Sequence, residues 1–263
     1  MSQPGRAGGH APGNCLPGEP AESLDELTPV VRRREELRSR LSVVRDRVAR
    51  ACQQAGRHTE DVTLIAVTKY FPASDLVALR ELGVGDVGEN RDQEAARKIA
   101  ELSQPNRDAI RVHFIGQVQT NKAGSVARYA DVIHSVDRLR LVTALERGAR
   151  EAGRTLDVLL QVGLDTQGQR GGASEDDLPQ LAEAVGDSSA LRLRGLMAVA
   201  PVGHAPQPAF ARLATLAENL RRDFPGATWL SAGMSGDLEA AISSGATHLR
   251  VGSAILGSRP QLG

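Results

Sequence analysis

Eight times along this 263-residue chain, a short apolar run gives way to a longer stretch with helical spacing. The runs are residues 62–68, 86–88, 112–115, 132–135, 158–162, 193–197, 228–231 and 248–251. Helical patterns lie between them at 73–82, 92–102, 121–129, 138–152, 176–185, 208–224 and 238–243. The pattern at 208–224 is the clearest, with Phe210, Leu213, Leu216, Leu220 and Phe224 on one stripe. Apolar runs of this length read as buried strands, and strands that alternate with helices form parallel sheets. Eight units in a chain of this length predict a parallel (β/α)8 barrel of the TIM type. An open doubly wound sheet shares the alternation. No Gly-x-Gly-x-x-Gly follows the first run, which counts against its dinucleotide-binding form.

An additional helix is expected ahead of the barrel, from Val30 to Ala55. Leu37, Leu41, Val44, Val48 and Cys52 recur on one face, and Gly56 supplies its stop. Residues 1–29 hold five Gly and five Pro with no apolar segment of the kind found in signal peptides. They read as a disordered leader, leaving 30–263 as the barrel domain. Aromatics make up only 3% of the chain, so the core must be built from Leu, Val, Ile and Ala.

Charge and cysteine content exclude several classes of function. Basic and acidic residues both number 32, so no basic excess points to nucleic acid or an anionic membrane. No apolar run is long enough to span a bilayer. Cys15 and Cys52 are placed in a Gly/Pro-rich tail and on a helix, which suggests no disulfide scaffold and a cytoplasmic location. No His/Cys/Asp/Glu cluster has metal-ligand spacing, and no Gly-x-Ser-x-Gly elbow is present. His113, His134 and His248 fall in strands and read as barrel-filling residues.

Barrel proteins place their sites at the C-terminal ends of the strands. Lys69 directly follows the first strand, and Pro72 opens the next helix. A lysine there, partly withdrawn from water, holds more of the neutral amine that attacks an aldehyde. The plainer alternative is a lysine reaching from a strand end to solvent. Only Lys98 and Lys122 are further lysines. Lys98, mid-helix beside Arg97, reads as part of a solvated face, and Lys122 begins the helix after the third strand. The last two strands end in Ser231-Ala232-Gly233-Met234-Ser235-Gly236-Asp237 and Arg250-Val251-Gly252-Ser253-Ala254. Small residues and hydroxyls before helix starts suit a phosphate, and barrels often place phosphate sites after these two strands.

A lysine after the first strand with a phosphate cradle after the last two resembles pyridoxal 5'-phosphate (PLP) proteins of fold type III, whose barrel is like the N-terminal domain of alanine racemase. More closely, the chain resembles the PLP homeostasis protein family, from about Val30 to Pro260. The resemblance rests on Leu64-Ile65-Ala66-Val67-Thr68-Lys69, Gly88-Glu89-Asn90, His113-Phe114-Ile115-Gly116, Gln119-Thr120-Asn121-Lys122, Arg194-Gly195-Leu196-Met197, Ser231 to Ser235, Asp237 to Ile242 and Arg250 to Ile255, in that order. It implies that Lys69 holds PLP as a Schiff base and that Asn90 lies near the cofactor. It gives Ser231, Gly233, Met234, Ser235, Gly252 and Ser253 to the phosphate side, and Arg250 to the pyridine ring or phosphate. The family often reads Lys-Thr-Lys-Pro where this chain has Lys69-Tyr70-Phe71-Pro72, and Tyr where it has Arg91. Some members carry a lysine in the loop after the fifth strand, which here runs from Asp165 to Gly172 without one.

Three functions remain open on the sequence. The first is a monomeric carrier that buffers PLP in the cytoplasm and passes it to apo-enzymes, without robust catalysis. The second is an amino-acid racemase, which needs an acid/base group on each face of the substrate. Barrel racemases draw one of those groups, a tyrosine, from a separate β domain. About ten residues follow the eighth strand, too few for such a domain, and the only tyrosines are Tyr70 and Tyr129. The third is a barrel that binds some other phosphate ester, with Lys69 unmodified.

Overall fold

A computed structural model describes residues 28–164 and 171–258 of the protein. The expected leader up to residue 27, Cys15, and residues 165–170 of the loop after the fifth strand lie outside the described residues. Eight parallel strands close a barrel in sequence order: β1 Thr63–Val67, β2 Asp86–Glu89, β3 Arg111–Phe114, β4 Val132–Val136, β5 Leu156–Gln161, β6 Leu191–Met197, β7 Trp229–Ser231 and β8 His248–Val251. Closure is made by β1 against β8, with Thr63, Leu64, Ile65 and Ala66 opposite His248, Leu249, Arg250 and Val251. This pairing excludes the open doubly wound sheet, whose end strands would stay unpaired.

The outer helices are α1 Pro29–Gln54, α2 Ala73–Glu81, α3 Asp92–Ala100, α4 Gln104–Asp108, α5 Ala123–Tyr129, α6 Leu139–Glu151, α7 Leu178–Gly186, α8 Pro206–Asp223, α9 Leu238–Ser243 and α10 Ser253–Leu256. The sequence pattern missed α4 and α10, which are too short to show a period. The extra helix α1 buries Leu37, Leu41, Val44, Val48 and Cys52, the face that spacing had marked. Each Leu or Val so buried contributes about 1.5–3 kcal/mol. The Thr28 hydroxyl accepts a hydrogen bond from the Val31 N–H at the start of α1. Just past its C-cap, Gly56 adopts φ +65°, a left-handed conformation that ends helices.

Along β4, Val132 and His134 share one face. His134 contacts Ser231 of the non-neighbouring β7, so that face is the barrel interior. Val132 packs there with Leu159 and Met197. The interior is otherwise unusually polar, with His113, His134, Ser231, His248 and Arg250 all buried. The three histidines thus fill the barrel, as the sequence had suggested.

Candidate functional site

Lys69 stands in a tight turn. The chain leaves β1 through Thr68, Lys69, Tyr70 and Phe71, and the Phe71 N–H donates to the Thr68 carbonyl at 3.0 Å. Tyr70, the third residue of the turn, has φ +72°, the only non-glycine with positive φ among the described residues. A turn of this kind favours glycine there, and holding a tyrosine in it costs about 1–3 kcal/mol. The Tyr70 N–H donates to the Glu94 carboxylate, which ties the strained residue to α3. The turn leaves Lys69 half-buried, and among the described residues no hydrogen bond or ion pair holds its Nζ. Its Nζ lies 6.0 Å from the centroid of the Tyr70 ring. The Arg91 guanidinium stacks on the same ring at 5.0 Å. Tyr70 and Arg91 are two of the positions where the chain departs from its family pattern, so the departures touch.

Beneath this turn lies a buried ionic cluster that corrects the sequence reading. Lys98 is not on a solvated face; it is 4% exposed. Its Nζ donates to the Thr68 carbonyl at 2.8 Å, to Glu89 Oε1 at 2.7 Å and to Glu94 Oε1 at 3.2 Å, which uses all three of its N–H bonds. The Thr68 hydroxyl donates to the same Glu89 oxygen at 2.6 Å. Burial pushes the Glu89 carboxyl above its usual range, and Lys98 opposes that rise. Glu94 and Lys98, four apart on one helix, supplied the only sequence signal; strand burial of Glu89 supplied the rest.

The opposite wall comes from the turns after β7 and β8. Gly233 has φ +90°, and a Cβ there would lie 2.6 Å from Ala241 Cβ. The Asp237 carboxylate accepts from the Met234 N–H at 2.6 Å and closes the loop. Ser235 Oγ accepts from Ser253 Oγ and the Ala254 N–H, both at 3.3 Å, joining the two turns. From outside the barrel, Arg47 of α1 donates to the Ser235 carbonyl at 3.1 Å and pairs with Glu239 at 2.8 Å. A Cβ built on Gly236 meets nothing within 4 Å, and one on Gly252 meets only ordinary contacts with Val67. Neither glycine position is tightly packed.

Together these elements enclose a pocket of about 330 Å³. Lys69, Met234, Ser235, Arg250, Gly252 and Ser253 all line it, with Tyr70, Phe71 and Gly236. Three of the residues singled out in the sequence do not. Gly233 shapes the β7 turn from behind. Asn90 lines a separate pocket with Arg91, Gln117 and Lys122, and its buried Oδ1 has no partner among the described residues. Ser231 lies deeper: its side chain is fully buried, and its hydroxyl is engaged by His134 at 2.9 Å and Arg250 Nη1 at 2.5 Å. It holds Arg250 and does not itself line the pocket. Arg250 also donates from Nη2 to the Ala198 carbonyl at 2.9 Å, and burial brings its guanidinium down to about 10. Tyr129 is buried against Asp92, away from this pocket. Among the described residues no group of side chains could hold a metal ion.

The profile of the alanine racemase N-terminal domain family matches residues 43–260. A pyridoxal phosphate homeostasis protein of Mycobacterium tuberculosis is 41% identical over 250 residues, covering 89% of this chain and 97% of that protein. One from Escherichia coli is 37% identical over 226 residues, covering 83% and 95%. The chain belongs to the pyridoxal phosphate homeostasis protein family. A solved family structure, PipY of Synechococcus elongatus with PLP bound, superposes with a TM-score of 0.72 at 35% identity, over 84% of this chain and all of that one. An alanine racemase of Clostridium difficile superposes at 0.66 with 12% identity over 58% of its own length, a likeness of fold alone. Family membership and the closed barrel settle the fold expected from sequence.

Proposed function

We propose that this protein binds PLP in the mouth pocket, with Lys69 as the attachment point, and serves intracellular PLP homeostasis as a carrier. The observation that carries the reading is the unpaired Lys69 amine sharing one pocket with the open β7 and β8 turns. The residues present fit the group. When bound, PLP supplies an aldehyde that a neutral primary amine condenses with reversibly. Lys98 and Lys122 are poor candidates for that amine, since one is saturated by carboxylates and the other pairs with Asp92 at 3.9 Å. The hydroxyls of Ser235 and Ser253 and the open backbone at Gly236 and Gly252 would take the phosphate. Met234 and Phe71 offer apolar walls. Arg250 would lie towards the ring or phosphate, and Asn90 is carried over from the family as a residue near the cofactor. The name of the bacterial relatives and the PLP in PipY support the same assignment.

A carrier function without robust turnover follows from what lines the pocket. Racemisation needs a second acid/base group opposite the lysine, and losing one such group forfeits roughly 10²–10⁴-fold in rate. Besides Lys69, the ionisable residues lining the pocket among the described residues are Tyr70, fixed in the same turn, and Arg250, bound from behind. We infer that the protein acts as a monomer in the cytoplasm, hands PLP to apo-enzymes, and engages neither nucleic acid nor membrane. The balanced charge supports the last point, and among the described residues no helix is long and apolar enough to cross a membrane.

Borohydride reduction followed by mass mapping tests the assignment. The pyridoxyl label is expected on Lys69, and Lys69→Ala should lose the visible absorption band while keeping the far-UV circular dichroism of wild type. A label on Lys98 or Lys122 with Lys69 clean would overturn it. Rapid racemisation of alanine would overturn the carrier reading.

A further inference from the structure

The histidines inside the barrel are neither scattered nor independent. Asp86 begins β2 at the N-terminal mouth, where its side chain is 28% exposed. Its Oδ1 lies 2.8 Å from His113 Nε2 on β3. His113 Nδ1 lies 2.9 Å from His134 Nε2 on β4. His134 Nδ1 lies 2.9 Å from the Ser231 hydroxyl at the end of β7, and that oxygen lies 2.5 Å from Arg250 Nη1. Each contact is a single file step, and the series runs through the barrel from one mouth to the pocket at the other.

With both histidines neutral and Asp86 ionised, one arrangement of protons satisfies all four contacts. Arginine can only donate, so Ser231 must accept from it and has its own proton left to give. That proton goes to His134 Nδ1, which is then an acceptor. His134 therefore carries its proton on Nε2 and donates to His113 Nδ1. His113 in turn carries its proton on Nε2 and donates to Asp86. A carboxylate can only accept, so the far end agrees with the near end. Both histidines are neutral in this order. Burial, the largest influence on each, independently favours that form. Charging His113 would instead turn His134 round, so that Ser231 accepted from both His134 and Arg250, and burial opposes that charge.

We propose that Asp86 is a positioning residue for the cofactor site: it fixes the tautomers of His113 and His134, and through Ser231 it sets the orientation of the Arg250 guanidinium in the pocket. Without an acceptor at position 86, His113 is free to move its proton to Nδ1. His134 must then reverse, and Ser231 loses the acceptor that turns its lone pair towards Arg250. The effect travels through hydrogen bonds that are already made, so no change of backbone is required. The neighbouring His248 stays outside the series. Its Nδ1 meets the Thr247 hydroxyl at 2.8 Å, and its ring stacks on Trp229 at 4.3 Å.

The significance of Arg250 rests on the proposed PLP site, but the relay can be read without it. The experiment is ¹⁵N NMR of the histidine and arginine side chains in the full-length protein, with a PLP titration beside it. Wild type should show His113 and His134 as neutral Nε2–H tautomers at neutral pH. An Nδ1–H tautomer or a charged ring at either would overturn the proposal, whether or not any variant folds. Asp86→Ala should move both histidines to mixed tautomers, shift the Arg250 side-chain signal, and displace the visible band of bound PLP. Loss of one such hydrogen-bonded alignment should weaken PLP retention roughly 2–10-fold. Asp86→Asn keeps an oxygen acceptor and should restore the wild-type tautomers. Unchanged histidine and Arg250 signals in Asp86→Ala would show that Asp86 positions nothing. A wild type that gains no visible band with PLP would sink the binding site alone, because the tautomers and the Arg250 signal still decide the relay.

Discussion

The two walls of the pocket are built on opposite principles. On the β1 side, Lys69 rests on a strained turn held down by a saturated ionic cluster: Lys98 with Glu89, Glu94 and the Thr68 carbonyl. On the β7–β8 side the wall is glycine and serine, with no tight contact at Gly236 or Gly252. The first wall spends buried charge to hold one amine still and unpaired. The second avoids side-chain bulk so that backbone and hydroxyls can approach an anion. Covalent chemistry needs a positioned atom, whereas anion binding needs many small donors, and each wall has the composition that its proposed task would require.

The largest effect should come from breaking the ionic wall. Lys98→Met leaves Glu89 buried without its partner, and removing one member of a buried pair costs about 3–5 kcal/mol. Urea denaturation should read that loss at neutral pH. The deficit should shrink as the pH is lowered. Glu89 already has a raised carboxyl in the folded state, so its contribution is most favourable below its unfolded value of about 4.5 and is lost as pH rises through the folded value. A deficit that does not depend on pH would mean that Glu89 is not the group left stranded.

An intermediate effect is expected on the small-residue wall. Gly233→Ala must fit a Cβ 2.6 Å from Ala241 Cβ and 3.0 Å from Leu249, in a backbone conformation that L residues resist. Overpacking and strain together should cost about 2–4 kcal/mol by thermal or urea unfolding. A variant as stable as wild type would show that the β7 turn yields easily and that its shape does not depend on glycine.

Smaller still is the effect of Ser235→Ala, which should leave the fold intact and weaken PLP retention. Losing one hydrogen bond to a charged group costs about 1.5–3 kcal/mol, or roughly 10–150-fold in affinity. Pyridoxal, lacking the phosphate, should hardly feel the change. Equal sensitivity of the two ligands would move the phosphate to the Gly252–Ser253 turn and leave the comparison of the walls intact only in part.

Most of the barrel could be read from sequence because its strands are apolar runs and its helices carry a period. Short elements such as α4 and α10 could not, since one turn of helix shows no repeat. The lysine at the β1 end and the two turns after β7 and β8 were legible for a similar reason: they lie at fixed places in a repeating unit. Lys98 was misread because its neighbour Arg97 is solvated, while its partners Thr68 and Glu89 arrive from other strands. The depth of Ser231 was not legible either. Met234 and Ser235, further along the same motif, line the pocket, but the Ser231 side chain lies inside the barrel against His134 and Arg250, and only strand geometry decides that. The stacking of Arg91 on Tyr70 was written in two separate departures from the family pattern, with nothing in the sequence to join them.

The helix α1 is bonded to segments far along the chain. Arg33 donates to the carbonyl of Leu256, 223 positions further along, and Arg47 reaches Ser235. The first strand pairs with the eighth. Lys69 and the turns that carry Arg250, Gly252 and Ser253 are therefore distant in sequence, and β1 keeps an unpaired edge until β8 joins it. Contacts of such long sequence separation form slowly. On the proposed assignment, an incompletely closed barrel would expose Lys69 with no cradle to retain a phosphate, so closure of the barrel and the capacity to hold the ligand arrive together.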